Sequence, residues 1–98
     1  MGNYERFLAF EVVVNVTTKE EYEAFLKRCE ELKLESVKYL KRISFEELHM
    51  NAGIRKYKTG DICIEYQFMK GFTFDDKKSY IDYGLEVITV EEFLEATK

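Results

Sequence analysis

Apolar residues in the first part of the chain alternate with the period of a β-strand. Within residues 5–16, one face would carry Leu8, Phe10, Val12, Val14 and Val16. More apolar residues fall on the opposite face, so such a strand would be covered on much of both sides. We therefore predict a long central strand over residues 5–16.

The next segment changes to helical spacing. Its apolar positions, which recur at i, i+3, i+4 and i+7, are Tyr22, Phe25, Leu26, Cys29 and Leu32. This is the pattern of a helix packed on a sheet. Thr18 and Glu21 have the spacing of a capping box, in which each side chain satisfies a backbone donor of the first turn. The pattern predicts a helix within residues 17–34.

The middle of the chain predicts two shorter elements. Residues 36–43 alternate like a half-exposed strand, and their lysines would suit a sheet edge. Ser44 and Glu47 repeat the capping-box spacing and would start a short helix that ends near residues 51–53.

A hairpin is predicted over residues 54–68, with its turn at residues 58–61 and a strong second strand from Ile62. Residues 70–76 are expected to form a loop that exposes Phe72 and Phe74.

The closing segment predicts a helix, a strand and another helix. Thr73 or Asp75 would cap a helix running to about Tyr83, and Gly84 stands where a left-handed residue ends it. Residues 85–89 predict a short strand. Thr89 and Glu92 then have the capping-box spacing for a last helix.

This order of elements indicates an α+β fold. We expect a ferredoxin-like sandwich or a relative of it, with one mostly antiparallel sheet of four or five strands. The two main helices would lie on one face, with short extra helices elsewhere. The 98 residues suffice for a single domain, residues 1–98.

Composition narrows the possible settings of the protein. No apolar run approaches the roughly 18–20 residues that a membrane span needs, and the first residues lack the pattern of a secretory signal. We therefore expect a cytoplasmic protein in which Cys29 and Cys63 are reduced and buried. The net charge of −4 argues against nucleic-acid binding as the main role.

Motifs for catalysis, metals and cofactors are lacking in the sequence. The single histidine, His49, has no nucleophile at a recognisable spacing, the glycines form no phosphate-binding loop, and no CxxC occurs. We therefore predict no catalytic residue, metal or cofactor. Arg55 to Lys58, "RKYK", could be a patch that binds nucleic acid or an acidic partner, or part of an edge strand near a turn.

The C-terminal residues carry an excess of acidic side chains. Only Lys98 opposes the candidate partner-binding residues Asp82, Glu86, Glu91, Glu92 and Glu95. Such a surface can bind a basic groove on a nucleic-acid-binding protein, since charge complementarity raises the association rate and gives specificity. The alternative is a surface that only keeps the chain soluble.

The closing segment "YIDYGLEVITVEEFL" resembles a loose group of small phage and prophage proteins that end in Y-x-x-x-G-x-E-V-I-x-x-x-E-F. The matching residues are Tyr80, Gly84, Glu86, Val87, Ile88, Glu92 and Phe93, with Phe25, Leu26 and Cys29 in the first helix. About half of the chain takes part, and the tryptophan common in that group is missing. The resemblance implies a mobile-element protein in the cytoplasm of a bacterial host. Inhibitors of bacterial defence, among them anti-CRISPR proteins, occur among compact acidic phage proteins of this size.

Three functions are therefore considered. The first is a non-enzymatic protein that inhibits a host defence nuclease by occupying its basic nucleic-acid-binding surface. The second is an accessory or regulatory module of phage origin that forms homo-oligomers, such as a homodimer, through Phe72 and Phe74. The third is a small enzyme that uses His49 or a cluster of carboxylates.

Overall fold

A computed structural model describes residues 2–50 and 62–98, without the side chains of residues 49 and 50. The helices are α1 (Asn3–Leu8), α2 (Lys19–Glu31), α3 (Val37–Leu40), α4 (Phe45–Met50), α5 (Lys77–Tyr83) and α6 (Val90–Ala96). The strands are β1 (Val12–Val16), β2 (Ile62–Gln67), β3 (Gly71–Asp76) and β4 (Glu86–Thr89). The α+β class is thus confirmed. The predicted first strand and turn of the hairpin, and the run from 55 to 58, lie outside the described residues.

The four strands form one sheet in the order β3-β2-β1-β4. β2 pairs antiparallel with β1 and with β3, and β4 pairs parallel with β1. The sheet is therefore mostly antiparallel, as predicted, with one parallel pair at its edge. β1 lies between two strands, and every one of its residues is buried. The prediction of a central strand is therefore confirmed for residues 12–16.

The two faces of the sheet pack against different helices. Val12 and Val14 point into the main core, to which α1, α2, α4 and α6 contribute buried side chains. Val13 and Cys63, which alternate with residues of that core, instead pack with Tyr80 of α5. The helices therefore divide between both faces, whereas the sequence led us to expect α2 and α5 on the same face.

Aromatic rings fill the centre of the main core. The ring of Phe7 lies 6.1 Å from that of Phe25, 6.0 Å from that of Tyr66 and 5.1 Å from that of Phe93, measured between centroids. These rings come from α1, α2, β2 and α6, so a single cluster joins three helices to the sheet.

Local capping signals are confirmed at several helix ends. The backbone N–H of Glu47 donates to Oγ of Ser44, and the N–H of Ser44 donates to the Glu47 carboxylate, at 3.1 and 3.0 Å. Thr18 accepts from the N–H of Glu21, although the Glu21 carboxylate turns to Thr17 instead of Thr18. The predicted caps of α5, Thr73 or Asp75, are wrong, because both residues belong to β3 and the helix begins at Lys77.

The cap of α5 is Asp76, whose carboxylate accepts from the N–H of Ser79 at 2.7 Å. The same helix ends at Gly84, whose φ of 95° is the left-handed conformation predicted for it.

The prediction of a strand over residues 5–11 is wrong. These residues form α1 and a turn in which Phe10 has a φ of 60°. Tyr4, Phe7 and Leu8 have helical spacing as well, and in the helix all three pack on the main core. The helical arrangement buries Phe7 completely.

The prediction of a strand over residues 36–43 is also wrong, because α3 and a turn occupy this segment. Val37, Leu40 and Ile43 pack on the main core at a spacing of three residues. The hydroxyl of Tyr22 shares its one proton between the carbonyl oxygens of Leu40 and Ile43, at 3.0 and 2.8 Å, which holds the segment against α2.

Residues 71–76, predicted as part of a loop, form the edge strand β3. A three-residue turn connects it to β2, with the N–H of Lys70 donating to the carbonyl of Gln67 at 2.9 Å. Phe72 and Phe74 pack against the main core instead of projecting into solvent. The exposed aromatic ring of this region is Phe68, at the turn.

The two thiols behave as predicted. Cys29 and Cys63 are both buried and do not form a disulfide. Burial raises the pKa of Cys29 well above its usual range, so this thiol stays protonated at neutral pH.

Candidate partner-binding surface

Helix α6 presents three carboxylates on its outer side. Its first turn is fixed by Thr89 and Glu92, which exchange capping hydrogen bonds of 3.0 Å in both directions. Val90 and Phe93 point inward and are buried. Glu91, Glu92 and Glu95 are exposed. We call these three residues the acidic face of α6.

The carboxylates of this face differ in whether they already have a hydrogen-bond or ion-pair partner within the protein. Glu92 accepts the cap hydrogen bond from Thr89, and Glu95 lies 3.2 Å from Nζ of Lys98. Glu91 has no ion pair or side-chain hydrogen bond with a described residue. Glu91 is therefore the carboxylate of this face that a partner could contact without displacing another group.

The other two predicted binding residues are neutralised by nearby cations. Asp82 lies 2.6 Å from Nζ of Lys78, and Glu86 accepts two hydrogen bonds from Arg6 at 2.8 and 3.3 Å. The hydrogen bond from Arg6 holds the pKa of Glu86 below its usual range. Exposed ion pairs such as these contribute little to stability, because water and salt screen the attraction between the charges.

The five predicted residues do not share one face of the molecule. Asp82 belongs to α5, whereas Glu91 and Glu95 belong to α6, and these helices contribute to cores on opposite faces of the sheet. Glu86 lies between them on the edge strand β4. The three carboxylates of α6 are the part of the set that the fold places together.

A buried polar cluster on the α5 face was missed by the sequence analysis. Glu65 is 7% exposed, and its two carboxylate oxygens accept hydrogen bonds from the hydroxyl of Tyr80 at 2.7 Å and from the amide of Gln67 at 2.8 Å. The glutamate stands out within the apolar stretch of β2. Its partner Tyr80 is known only from the packing of α5 on the sheet.

Hydrogen bonds hold this cluster together. Burial, reinforced by the hydrogen bond to Glu65, raises the pKa of Tyr80 far above its usual range, so the phenol remains a donor. Both oxygens of Glu65 already have a neutral donor. The cluster lines a pocket of about 210 Å³ with Phe10 and Tyr83 at its wall, and it explains how a carboxylate can be buried in β2.

Neither a cluster of metal ligands nor a helix that could cross a membrane occurs within residues 2–50 and 62–98. That part of the chain holds no group of three or more His, Cys, Asp or Glu side chains placed for a metal ion. Its longest helix, α2, has 13 residues, and none of its helices is long and apolar enough to cross a membrane. His49 belongs to α4, but its side chain is outside the description.

No family model, no curated protein sequence and no solved structure matches this chain. Its surface and its packing are therefore the basis of the functional argument.

Proposed function

We propose that the chain is a non-enzymatic binding protein whose acidic face of α6 docks into a basic surface of a nucleic-acid-binding protein. One observation carries the proposal. Glu91 and Glu95 project from a helix whose opposite side is anchored in the core by Val90 and Phe93. A rigid helix presents carboxylates in fixed positions, which lowers the cost of ordering them on binding.

Charge complementarity gives this surface a defined role. A groove that binds nucleic acid is rich in Lys and Arg, because phosphates must be neutralised there. Carboxylates on a protein of net charge −4 are attracted to such a groove over a distance of about 8–10 Å in physiological salt. The ion pairs of Asp82 and Glu86 are exposed and weak, so these residues could join the contact.

The partner that we propose is a host defence nuclease, such as a CRISPR effector, in the cytoplasm of a bacterium. Support comes from the resemblance of residues 80–93 to the closing segments of small phage proteins. Occupation of the nucleic-acid channel would inhibit cleavage without any chemistry by the inhibitor.

The test is a charge reversal that leaves the helix cap intact. We expect Glu91→Lys combined with Glu95→Lys to lower affinity for the effector at least about tenfold, because two attractive contacts become repulsive. Glu92 is kept, since its carboxylate accepts the hydrogen bond from Thr89. Cleavage by purified effectors and complex formation would both be measured.

The matched control is Glu20→Lys combined with Glu23→Lys. Both residues are exposed on α2, and the pair changes the net charge by the same amount. The control should inhibit as well as the unmodified chain. If the α6 variant also inhibits fully, the acidic face is not the binding surface. If both variants lose inhibition equally, the loss comes from the changed net charge and not from the position of the carboxylates.

A homo-oligomeric accessory module is the second candidate, and a different surface favours it. Phe68 and Met69 at the β2–β3 turn are 74% and 79% exposed, and a second copy could cover them. Light scattering over a range of concentrations should then show a dimer that Phe68→Ser with Met69→Ser dissociates. A monomer at every concentration would remove this candidate.

A further inference from the structure

A second pocket lies at the β3 edge of the sheet, opposite the β4 edge that adjoins α6. Its volume is about 210 Å³, and its walls include the rings of Tyr39, Phe72 and Phe74. Lys70 and Ser36 supply its polar groups. No carboxylate of the described residues lines it, so its electrostatic character differs from that of the pocket beside Glu65.

One cation without a carboxylate partner lines this pocket, and two more lie over the ring of Tyr39, which is itself a wall residue. Lys70 lies in its wall. Nζ of Lys38 is 5.3 Å, and the guanidinium carbon of Arg42 is 5.5 Å, from the centre of the Tyr39 ring. None of the three forms an ion pair with a residue in the described ranges, 2–50 and 62–98. Their charge is therefore available to an anion, and the Tyr39 ring holds two of them in place by cation–π attraction.

Gly71, which stands between the wall residues Lys70 and Phe72, packs closely against Ser36. Gly71 has a φ of 87°, and a Cβ at this position would lie 2.8 Å from Cβ and Oγ of Ser36. Glycine therefore allows β3 to approach Ser36, which itself has a φ of 71°. The Ser36 hydroxyl caps no helix and has no side-chain hydrogen bond with a described residue, so it remains a donor for a ligand.

Flat rings beside unpaired cations and a hydroxyl suit a ligand that is both aromatic and anionic. Proteins that bind single-stranded nucleic acid stack bases on aromatic side chains and neutralise phosphates with Lys and Arg. The pocket is smaller than the roughly 300–1,000 Å³ of sites for drug-sized ligands. It has room for one base, with the phosphate left at the rim.

We propose that this pocket binds one nucleotide unit. Its base packs against the rings of Tyr39 and Phe74, and its phosphate contacts Lys70 and Arg42. The Ser36 hydroxyl donates to the base or to the sugar. A single nucleotide needs only local positive charge, so this site is compatible with the negative net charge of the chain. The proposal is independent of the acidic face of α6.

Calorimetric titration of the full chain with AMP, UMP, inorganic phosphate and a short single-stranded oligonucleotide tests the site. Saturable binding of a mononucleotide or of the oligonucleotide is expected, weakening as salt is raised. Oligonucleotide affinity well above that of the mononucleotides would identify single-stranded nucleic acid as the source of the unit. Equal affinities would identify the free nucleotide.

Substitutions in the wall of the pocket test whether the nucleotide binds there. Tyr39→Ala with Lys70→Ala should lower nucleotide affinity at least about fivefold, since each removes a stacking or phosphate contact. Both residues are exposed, and circular dichroism would verify that the variant folds. The matched control, Tyr83→Ala with Lys78→Ala, removes an exposed tyrosine and lysine from α5 and should bind normally.

Three outcomes would overturn the proposal. One is the absence of saturable binding at millimolar concentrations of both mononucleotides and of the oligonucleotide. Another is inorganic phosphate binding as tightly as the nucleotides, which would leave no role for the aromatic rings. The third is unchanged affinity in the Tyr39 and Lys70 variant, which would place binding elsewhere.

Discussion

Replacement of Phe7 by alanine is expected to lower the free energy of unfolding by about 3–5 kcal/mol. Phe7 is completely buried, and its ring contacts those of Phe25, Tyr66 and Phe93. Its removal would leave a cavity between three helices and the sheet, which the surrounding rings cannot fill without moving. Since small domains have about 5–15 kcal/mol of stability in total, the variant should be close to unfolding.

The measurement is chemical denaturation followed by circular dichroism. Phe68→Ala is the matched control, because the same ring is deleted at a position that is 74% exposed. It should change the free energy of unfolding by less than about 0.5 kcal/mol. Equal effects of the two substitutions would contradict the packing of α1 against α2 and α6.

Steep loss of stability at alkaline pH is the second large effect that we expect. Burial raises the pKa values of Cys29, Tyr22 and Tyr80 above their usual 9.0, 10.0 and 10.0. The folded chain therefore keeps protons that the unfolded chain releases. Stability from these groups is fully present below pH 9, and it falls as the pH rises above the unfolded values.

The slope of this loss follows from the number of protons. Each retained proton lowers the free energy of unfolding by about 1.4 kcal/mol per pH unit, so three groups give at most about 4 kcal/mol per unit, a limit that is approached only above pH 10. Denaturation curves recorded between pH 7 and pH 12 would measure it. A stability that is flat over this range would show that water reaches these groups in the folded chain.

Tyr80→Phe separates the contribution of the Tyr80 hydroxyl to stability from those of Cys29 and Tyr22. The alkaline slope should become shallower by about 1.4 kcal/mol per pH unit. At neutral pH the same change should destabilise by about 1–3 kcal/mol, because Glu65 loses the donor to one of its buried oxygens. Tyr83→Phe, at a ring that is 77% exposed, should leave the free energy of unfolding at neutral pH unchanged, because its hydroxyl donates to no buried carboxylate within the described part of the chain.

Local signals in the sequence were reliable because the interactions that they describe are local. The hydrogen bonds of Ser44 with Glu47 and of Thr89 with Glu92 join residues three positions apart. The left-handed turn at Gly84 depends on that residue having no Cβ. The valine-rich run of β1 required a buried strand in any α+β arrangement.

Apolar spacing alone misassigned three segments. Val37, Leu40 and Ile43 fit a helical turn, while Val37, Tyr39 and Ile43 fit a strand equally well. The main core decides between them, since it buries Leu40 and leaves Tyr39 more than half exposed. The same competition misassigned the residues of α1. In β3 the alternation of Phe72 and Phe74 was present, but it was too short to outweigh its flanking loop residues.

Among the predicted binding residues, too, features set by local spacing could be predicted and features set by tertiary packing could not. That Glu91 and Glu95 project outward follows from their spacing relative to Val90 and Phe93. The ion pair between Glu86 and Arg6 could not be predicted, because Arg6 belongs to a segment that was assigned to a strand. The cluster of Glu65 with Tyr80 depends on strand register and helix placement, neither of which follows from the pattern of apolar residues.

The contact between Phe7 and Phe93 also constrains how the protein is made. These rings come from opposite ends of the sequence, and their centroids are 5.1 Å apart. A ribosome-bound chain that has emerged only as far as α5 still lacks Phe93, so Phe7 is without one of the three rings that surround it in the folded protein. Contacts over such long separations carry a loop-closure cost before they stabilise anything. Completion of the core must therefore await translation of α6, which supplies Phe93.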